Sequence, residues 1–162
     1  MTTQDEQPVW IEEGQTAPDF ELQADDGTTV HLAALRGKPV VLYFYPADDT
    51  PGCTKEACAF RDRKSELTAG GAVVLGVSPD DVASHGKFRD KYSLNFPLLA
   101  DPGHKVADLY GAWREKNMYG KKSMGIQRST FLIGADGTVR KAWKRVNVEG
   151  HDAAVLAALA AL

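Results

Sequence analysis

The chain has two cysteines, Cys53 and Cys58, both in the stretch "FYPADDTPGCTKEAC" that follows the apolar run Val40 to Tyr45. A thiol at the junction of a buried strand and a helix start meets backbone N–H groups and the positive end of the helix dipole, and both favour a thiolate. Thr50-Pro51-Gly52-Cys53 has the form of such a start, with Thr50 at N-cap, Pro51 at N1 and Cys53 at N3. On the capping rule alone Thr50 would simply bond the Cys53 amide, and Gly52 would let a reactant approach the sulfur closely. Cys53 therefore reads as a nucleophile, whereas an ordinary α/β domain buries a lone cysteine as a small apolar residue.

A lowered thiol pKa supplies little rate by itself. Moving it from about 8.5 to about 6 raises the thiolate fraction at pH 7 roughly 30-fold. A Brønsted slope of about 0.45 then takes back roughly 13-fold through weaker nucleophilicity, leaving a gain of about two-fold. Fast cysteine chemistry at Cys53 must instead come from donors that stabilise charge growing on a leaving group, which calls for a fixed cation or several N–H and O–H groups beside the sulfur.

The elements that must position this site alternate between β-branched or aromatic runs and helical patterns, which predicts an α/β domain with a central sheet. Phe20 to Leu22 and Thr28 to Leu32 flank "QADDGT" and predict a hairpin. Val40 to Tyr45 is apolar without alternation, as in a central strand covered on both faces. One helix is predicted from the Cys53 region to Gly70 and Gly71, then a strand over Ala72 to Val77. "SPDD" predicts a helix with Ser78 as N-cap running to about Tyr92, and Asp101-Pro102 a shorter one to Tyr110, with a strand over Phe96 to Ala100 between them. Arg114 to Gln127 shows neither period and reads as a surface loop. Thr130 to Ile133 and Thr138 to Trp143 bracket "GADG" as a second hairpin, and the Ala/Leu-rich end from Asp152 is a helix.

With 162 residues, 43% hydrophobic and 25% charged, the chain suits one globular core, with residues 1–13 as a mobile tail and 14–162 as the domain. A net charge of -3 leaves no basic surplus for nucleic acid or an anionic membrane. No stretch has signal-peptide or membrane-span character, so a cytoplasmic protein is expected. In that reducing compartment two close cysteines are metal-binding, catalytic or redox-sensing more often than structural. The four histidines, His31, His85, His104 and His151, show no ligand spacing with them, so no metal site is expected.

The stretch "APDFELQADDGTTVHLAALRGKPVVLYFYPADDTPGCTKEACAFRD" resembles peroxiredoxins of the bacterioferritin-comigratory-protein or PrxQ type, whose marker of Pro, three residues, Thr or Ser, two residues and Cys falls on Pro46, Thr50 and Cys53. The likeness continues through "GVSPDD", "FPLLADP", "YGAWREK" and "GIQRSTFLIGADG", over roughly residues 14 to 162. It implies a thioredoxin-like fold, with a central mixed β-sheet flanked by α-helices and an N-terminal β-hairpin. It also implies a thiol-dependent peroxidase without cofactor, acting on hydrogen peroxide and organic hydroperoxides in antioxidant defence.

In that pattern Cys53 is the peroxidatic cysteine and becomes a sulfenic acid. Arg128 supplies the cation, Thr50 and the Cys53 amide hold the peroxide oxygens, Pro46 shields the site, and Glu56 holds Arg128. Cys58 matches a resolving cysteine, giving an intramolecular disulfide for thioredoxin or glutaredoxin to reduce. Such a resolving step needs no partner subunit, and a monomer is expected. Two other readings stay open on the residues themselves. A thioredoxin-type disulfide reductase normally uses C-x-x-C, whereas four residues separate the cysteines here. In a redox-responsive binding protein the disulfide would only toggle exposed apolar surface.

Overall fold

A computed structural model describes residues 8–162. Its frame is a seven-stranded mixed sheet built from β1 (Glu21–Ala24), β2 (Thr29–His31), β3 (Val40–Phe44), β4 (Val73–Ser78), β5 (Leu98–Ala100), β8 (Ser129–Ile133) and β9 (Val139–Trp143), in the order β2-β1-β5-β4-β3-β8-β9. β3 runs parallel to β4 and antiparallel to β8, so it has a neighbour on each side and all five residues are buried. The expected hairpins β1-β2 and β8-β9 both form.

Side chains of β3 alternate between two cores, as the pleat requires. Val40, Leu42 and Phe44 join Phe20, Tyr110 and Phe131 on one face. Val41 and Tyr43, with Tyr45 just beyond the strand, join Cys53, Ala57, Phe60, Leu67, Phe88 and Val155 on the other. That second face is covered by α1 (Pro51–Asp62), α2 (Lys64–Ala69), α3 (Val82–Tyr92) and α5 (His151–Ala160). The helices thus hold Cys53 against the sheet.

Four sequence expectations need correction. The single helix expected up to Gly70 is divided at Arg63, whose φ of -95° and ψ of 1° leave the helical range, while its amide still reaches the Ala59 and Phe60 carbonyls. Helix α3 starts at Val82 rather than at Pro79: Ser78 completes β4, its carbonyl accepting from the Asp101 amide, and Asp81 is the true N-cap, accepting from the Ser84 amide at 2.8 Å. α4 (Lys105–Tyr110) likewise begins after His104, yet Asp101 serves it from a distance, its carboxylate accepting from the Val106 and Ala107 amides. The loop expected over Arg114 to Gln127 is a separate antiparallel ribbon of β6 (Trp113–Met118) and β7 (Lys121–Ile126), closed by Tyr119 and Gly120 at φ 55° and 79°. Positive φ at both central positions is the signature of a type I′ hairpin turn.

Residues 8–13 fall within the stretch expected as a tail, and there the Ile11 amide bonds the Tyr110 carbonyl, Trp10 lies 6.2 Å from Phe131 and the Arg114 guanidinium covers the Trp10 ring at 4.7 Å. The part of that tail over residues 1–7 lies outside the described residues.

Candidate active site

Strand β3 feeds directly into the segment that carries the marker residues. Tyr45 is buried, Pro46 is half-buried behind it, and Thr50 stands at the N-cap of α1 with extended backbone (φ -101°, ψ 156°). Pro51 occupies N1, where its missing N–H costs nothing, and Cys53 follows at N3. The capping bond expected of the Thr50 side chain is not made. Its hydroxyl donates backwards to the Ala47 carbonyl at 2.9 Å, which turns the oxygen lone pairs outward as acceptors.

Cys53 is 1% exposed, and one cation faces it directly. Arg128 sits two residues past the end of β7 and just before β8, and its Nη2 donates to the Cys53 Sγ at 3.3 Å. Its Nη1 donates to Glu56 Oε1 at 2.7 Å, so one planar guanidinium bridges the sulfur and the carboxylate. The sequence-predicted Cys53, Glu56 and Arg128 therefore come together in one cluster. Gly52 completes its wall, since a Cβ there would lie 3.0 Å from Arg128 Nη2. Cys58 is a free, half-buried thiol farther along the same intact helix.

Glu56 is itself 1% exposed and its Oε2 has no hydrogen-bond partner among the described residues. Burial pushes its pKa up to about 7, against the opposing pull of Arg128. Burial works to lower the Arg128 pKa, but Glu56 and Cys53 outweigh it and the guanidinium is held above its usual value. His151, stacked edge-on to Phe60 and Trp143 and bonded through Nε2 to Thr130 Oγ1 at 2.8 Å, is pushed down to about 4, chiefly by burial.

Two features of the site were not read from sequence. Lys116 on β6 is half-buried, its Nζ tied to the Ile126 carbonyl at 2.7 Å. Burial and then Arg128 lower its pKa while Cys53 raises it, which marks it as a second cation near the sulfur. The other feature is a double latch on the segment before α1. Asp48 accepts from Tyr45 and Ser84 hydroxyls and faces His85 Nδ1 at 2.7 Å, while Asp49 takes Lys91 Nζ at 2.7 Å and the Tyr92 hydroxyl at 2.8 Å. The ring of His85 also bonds the Leu99 carbonyl through Nε2, and Asp80 accepts from the Asp48 amide and the Ser78 hydroxyl. Asp48, Asp80 and His85 each bring a polar atom within 4.8 Å of the others, and in this structure hydrogen bonds among them and to Ser78 hold the cluster together. Adjacent acids just before a helix start, "DDT", were the available signal.

The arrangement can hold a thiolate, polarise an electronegative group beside it and accept a hydrogen bond from that group at Thr50. The model of the AhpC/TSA family matches residues 13–142. Peroxiredoxin Bcp of Bacillus subtilis is 51% identical over 149 residues, which cover 92% of this chain and 95% of that protein. Among solved structures, the Xanthomonas campestris bacterioferritin comigratory protein, studied for its alkyl peroxide reduction activity, matches with a TM-score of 0.84 at 45% identity, over 88% of this chain and 90% of its own. A Xylella fastidiosa PrxQ mutant matches with a TM-score of 0.89 at 36% identity, over 94% and 98% of the two chains.

Proposed function

This chain belongs to the AhpC/TSA family, among its Bcp and PrxQ peroxiredoxins, and from that premise we propose that Cys53 is its peroxidatic residue and Cys58 its resolving residue. The protein is a thiol-dependent peroxidase of the thioredoxin-like fold. The observation that carries the assignment is the Arg128 fork, with Cys53 Sγ on one nitrogen and Glu56 on the other.

The Cys53 thiolate attacks one oxygen of a hydroperoxide. The S–O bond forms as the O–O bond breaks, and the leaving oxygen takes a proton and departs as water or alcohol, leaving a sulfenic acid. Arg128 stabilises the charge that spreads from sulfur to the leaving oxygen, Thr50 accepts the hydroperoxide O–H, and Gly52 and Pro46 shape and dry the approach. The Cys58 thiolate then attacks the Cys53 sulfur, hydroxide leaves with a proton as water, and a disulfide remains. Thioredoxin or glutaredoxin returns it to the dithiol by exchange.

The rest of the reading is a monomer acting in the cytoplasm on hydrogen peroxide and organic hydroperoxides, with no nucleic-acid or membrane partner. The net charge of -3 speaks against a nucleic-acid or anionic-membrane partner, and among the described residues no helix is long and apolar enough to cross a membrane. Substitution tests the assignment. Cys53→Ser should abolish peroxide consumption. Cys58→Ser should still complete the first oxidation and then stall in turnover with thioredoxin. Peroxide consumption retained in Cys53→Ser would overturn it.

A further inference from the structure

The cluster around Arg128 has an imbalance that the proposed peroxidase chemistry leaves unused. One guanidinium faces two acids, the Cys53 thiol through Nη2 and the Glu56 carboxyl through Nη1, and both acids are 1% exposed. Among the described residues Glu56 Oε2 has no partner, which is far more costly for a buried carboxylate than for a carboxylic acid that keeps its proton there. The groups around it do not supply a second counter-charge. Tyr43 of β3 is buried, its phenol is held neutral chiefly by burial, and its hydroxyl has no partner among the described residues, so it brings no charge to Glu56. Lys116 of β6 is tied to the Ile126 carbonyl rather than to either acid. His151 of α5 bonds Thr130 and is disfavoured as a cation by its burial.

We propose that Cys53 and Glu56 share a single proton across Arg128, so that Glu56 is the residue that holds the proton when Cys53 is the reactive thiolate. Two like charges on one buried cation cannot both ionise cheaply, which is the logic of paired carboxylates that hold one proton between them. The inference rests on the assignment of Cys53 as peroxidatic residue and extends it. In the reactive form the charges are Arg128⁺, Cys53–S⁻ and Glu56–COOH. With ROOH the balance is Cys53–S⁻ + Glu56–COOH + ROOH → Cys53–SOH + Glu56–COO⁻ + ROH. The leaving alkoxide or hydroxide takes a proton from water and Glu56 gives its own up to water once the thiolate charge beside Arg128 is gone, so the charge that leaves the sulfur reappears on Glu56. Arg128 thus faces one anion before and after the reaction. The raised pKa of Glu56, about 7, agrees with this role. Glu56 acts through Arg128 and is a proton-holding residue rather than one that touches the peroxide.

The proposal opposes the simpler view in which Glu56 only orients Arg128. Glu56→Gln keeps the Oε1 acceptor for Arg128 and cannot carry a competing charge. In a Cys58→Ser background, Glu56→Gln should leave the pH midpoint of the thiolate absorbance within a few tenths of a unit, because Gln presents to Arg128 and the thiolate the same uncharged neighbour as a protonated Glu56. A midpoint lowered by about one unit or more would overturn the proposal, because that is the shift expected when an ionised, purely orienting Glu56 is removed from the same guanidinium at an effective dielectric constant of about 20. The infrared difference spectrum of the unsubstituted reduced protein on adding hydrogen peroxide supplies a second readout that needs no variant to fold. A carboxylic C=O band that shifts in protein carrying isotope-labelled glutamate should be lost on oxidation and replaced by carboxylate. No such band at neutral pH would equally overturn it. The thiolate titration uses no peroxide, so slow peroxide consumption would count against the peroxidatic assignment and leave the titration result to be judged separately.

Discussion

Joining Cys53 to Cys58 by a disulfide should unwind the first turns of α1 and lower the stability of the protein, even though a covalent cross-link is added. Both residues lie in one intact helix, Pro51–Asp62, at positions i and i+5. In an ideal helix such positions have Cα atoms about 8.7 Å apart, from a rise of 1.5 Å, a rotation of 100° and a radius of about 2.3 Å per residue. A disulfide rarely tolerates more than about 6.8 Å. The bridge therefore cannot form on the helix as it stands.

The energetic balance follows from the same geometry. Closing a loop of six residues restricts the unfolded chain by only about 2.2 kcal/mol. Against that, about five helical hydrogen bonds span the bridged segment, each contributing roughly 1 kcal/mol. Phe60, fully buried at 4.9 Å from the Tyr43 ring, would also loosen, at a cost of about 1–2 kcal/mol. The oxidised form should be less stable by about 4 kcal/mol, or roughly 10 °C in Tm for a chain of this length. Opening should also be bounded. The Asp48 and Asp49 latch holds the segment before α1 to α3, and the Arg63 break separates α2 behind it. Amide hydrogen exchange should therefore accelerate across residues 54–61 and stay unchanged in α2, with calorimetry of both forms giving the Tm difference. Identical exchange across α1, together with a Tm raised by oxidation, would refute the reasoning.

Removing the cation by Arg128→Met should slow peroxide reduction by about 10²- to 10³-fold, the usual loss of one donor aimed at developing charge. It also leaves Glu56 buried without its partner, so chemical denaturation should show a loss that the double variant Arg128→Met, Glu56→Gln recovers while the rate stays low. Gly52→Ala places a methyl group 3.0 Å from Arg128 Nη2 and should lower kcat/KM for peroxide by about ten-fold through a displaced guanidinium, with an unchanged circular dichroism spectrum. His151 has its pKa lowered from 6.5 to about 4, so the folded state binds fewer protons than the unfolded state between these values and stability falls as pH drops through that window. Denaturation midpoints measured from pH 7 to pH 4 should show a loss of roughly 3 kcal/mol that is absent in His151→Gln, and a parallel loss in both proteins would contradict the assignment.

The sequence reading succeeded where local signals agreed with the tertiary frame. Val40 to Phe44 is apolar without alternation because both faces of β3 meet a core, and Thr50-Pro51 fixed the start of α1. It went astray where a polar group served two masters. Ser78 looks like an N-cap, but its backbone completes the sheet pairing and its hydroxyl is given to Asp80. The ribbon β6-β7 escaped because four of the six residues of β7 are exposed, leaving no alternation of apolar and polar residues to read. Within the site, the Glu56–Arg128 pair spans 72 residues of sequence and is invisible to local pattern; only the resemblance pointed to it. The resemblance carried no sign of the unpartnered Glu56 Oε2, which depends on what packs around it.

The most direct test of the central claim is a stopped-flow measurement of the second-order rate at which fully reduced protein consumes hydrogen peroxide, with the mass of the product determined alongside. A rate orders of magnitude above that of free cysteine, with loss of two hydrogens from the protein, is the result predicted by a peroxidatic Cys53 resolved by Cys58. A rate equal to that of free cysteine would mean that Arg128 and Thr50 do not act on a peroxide, and would contradict the account.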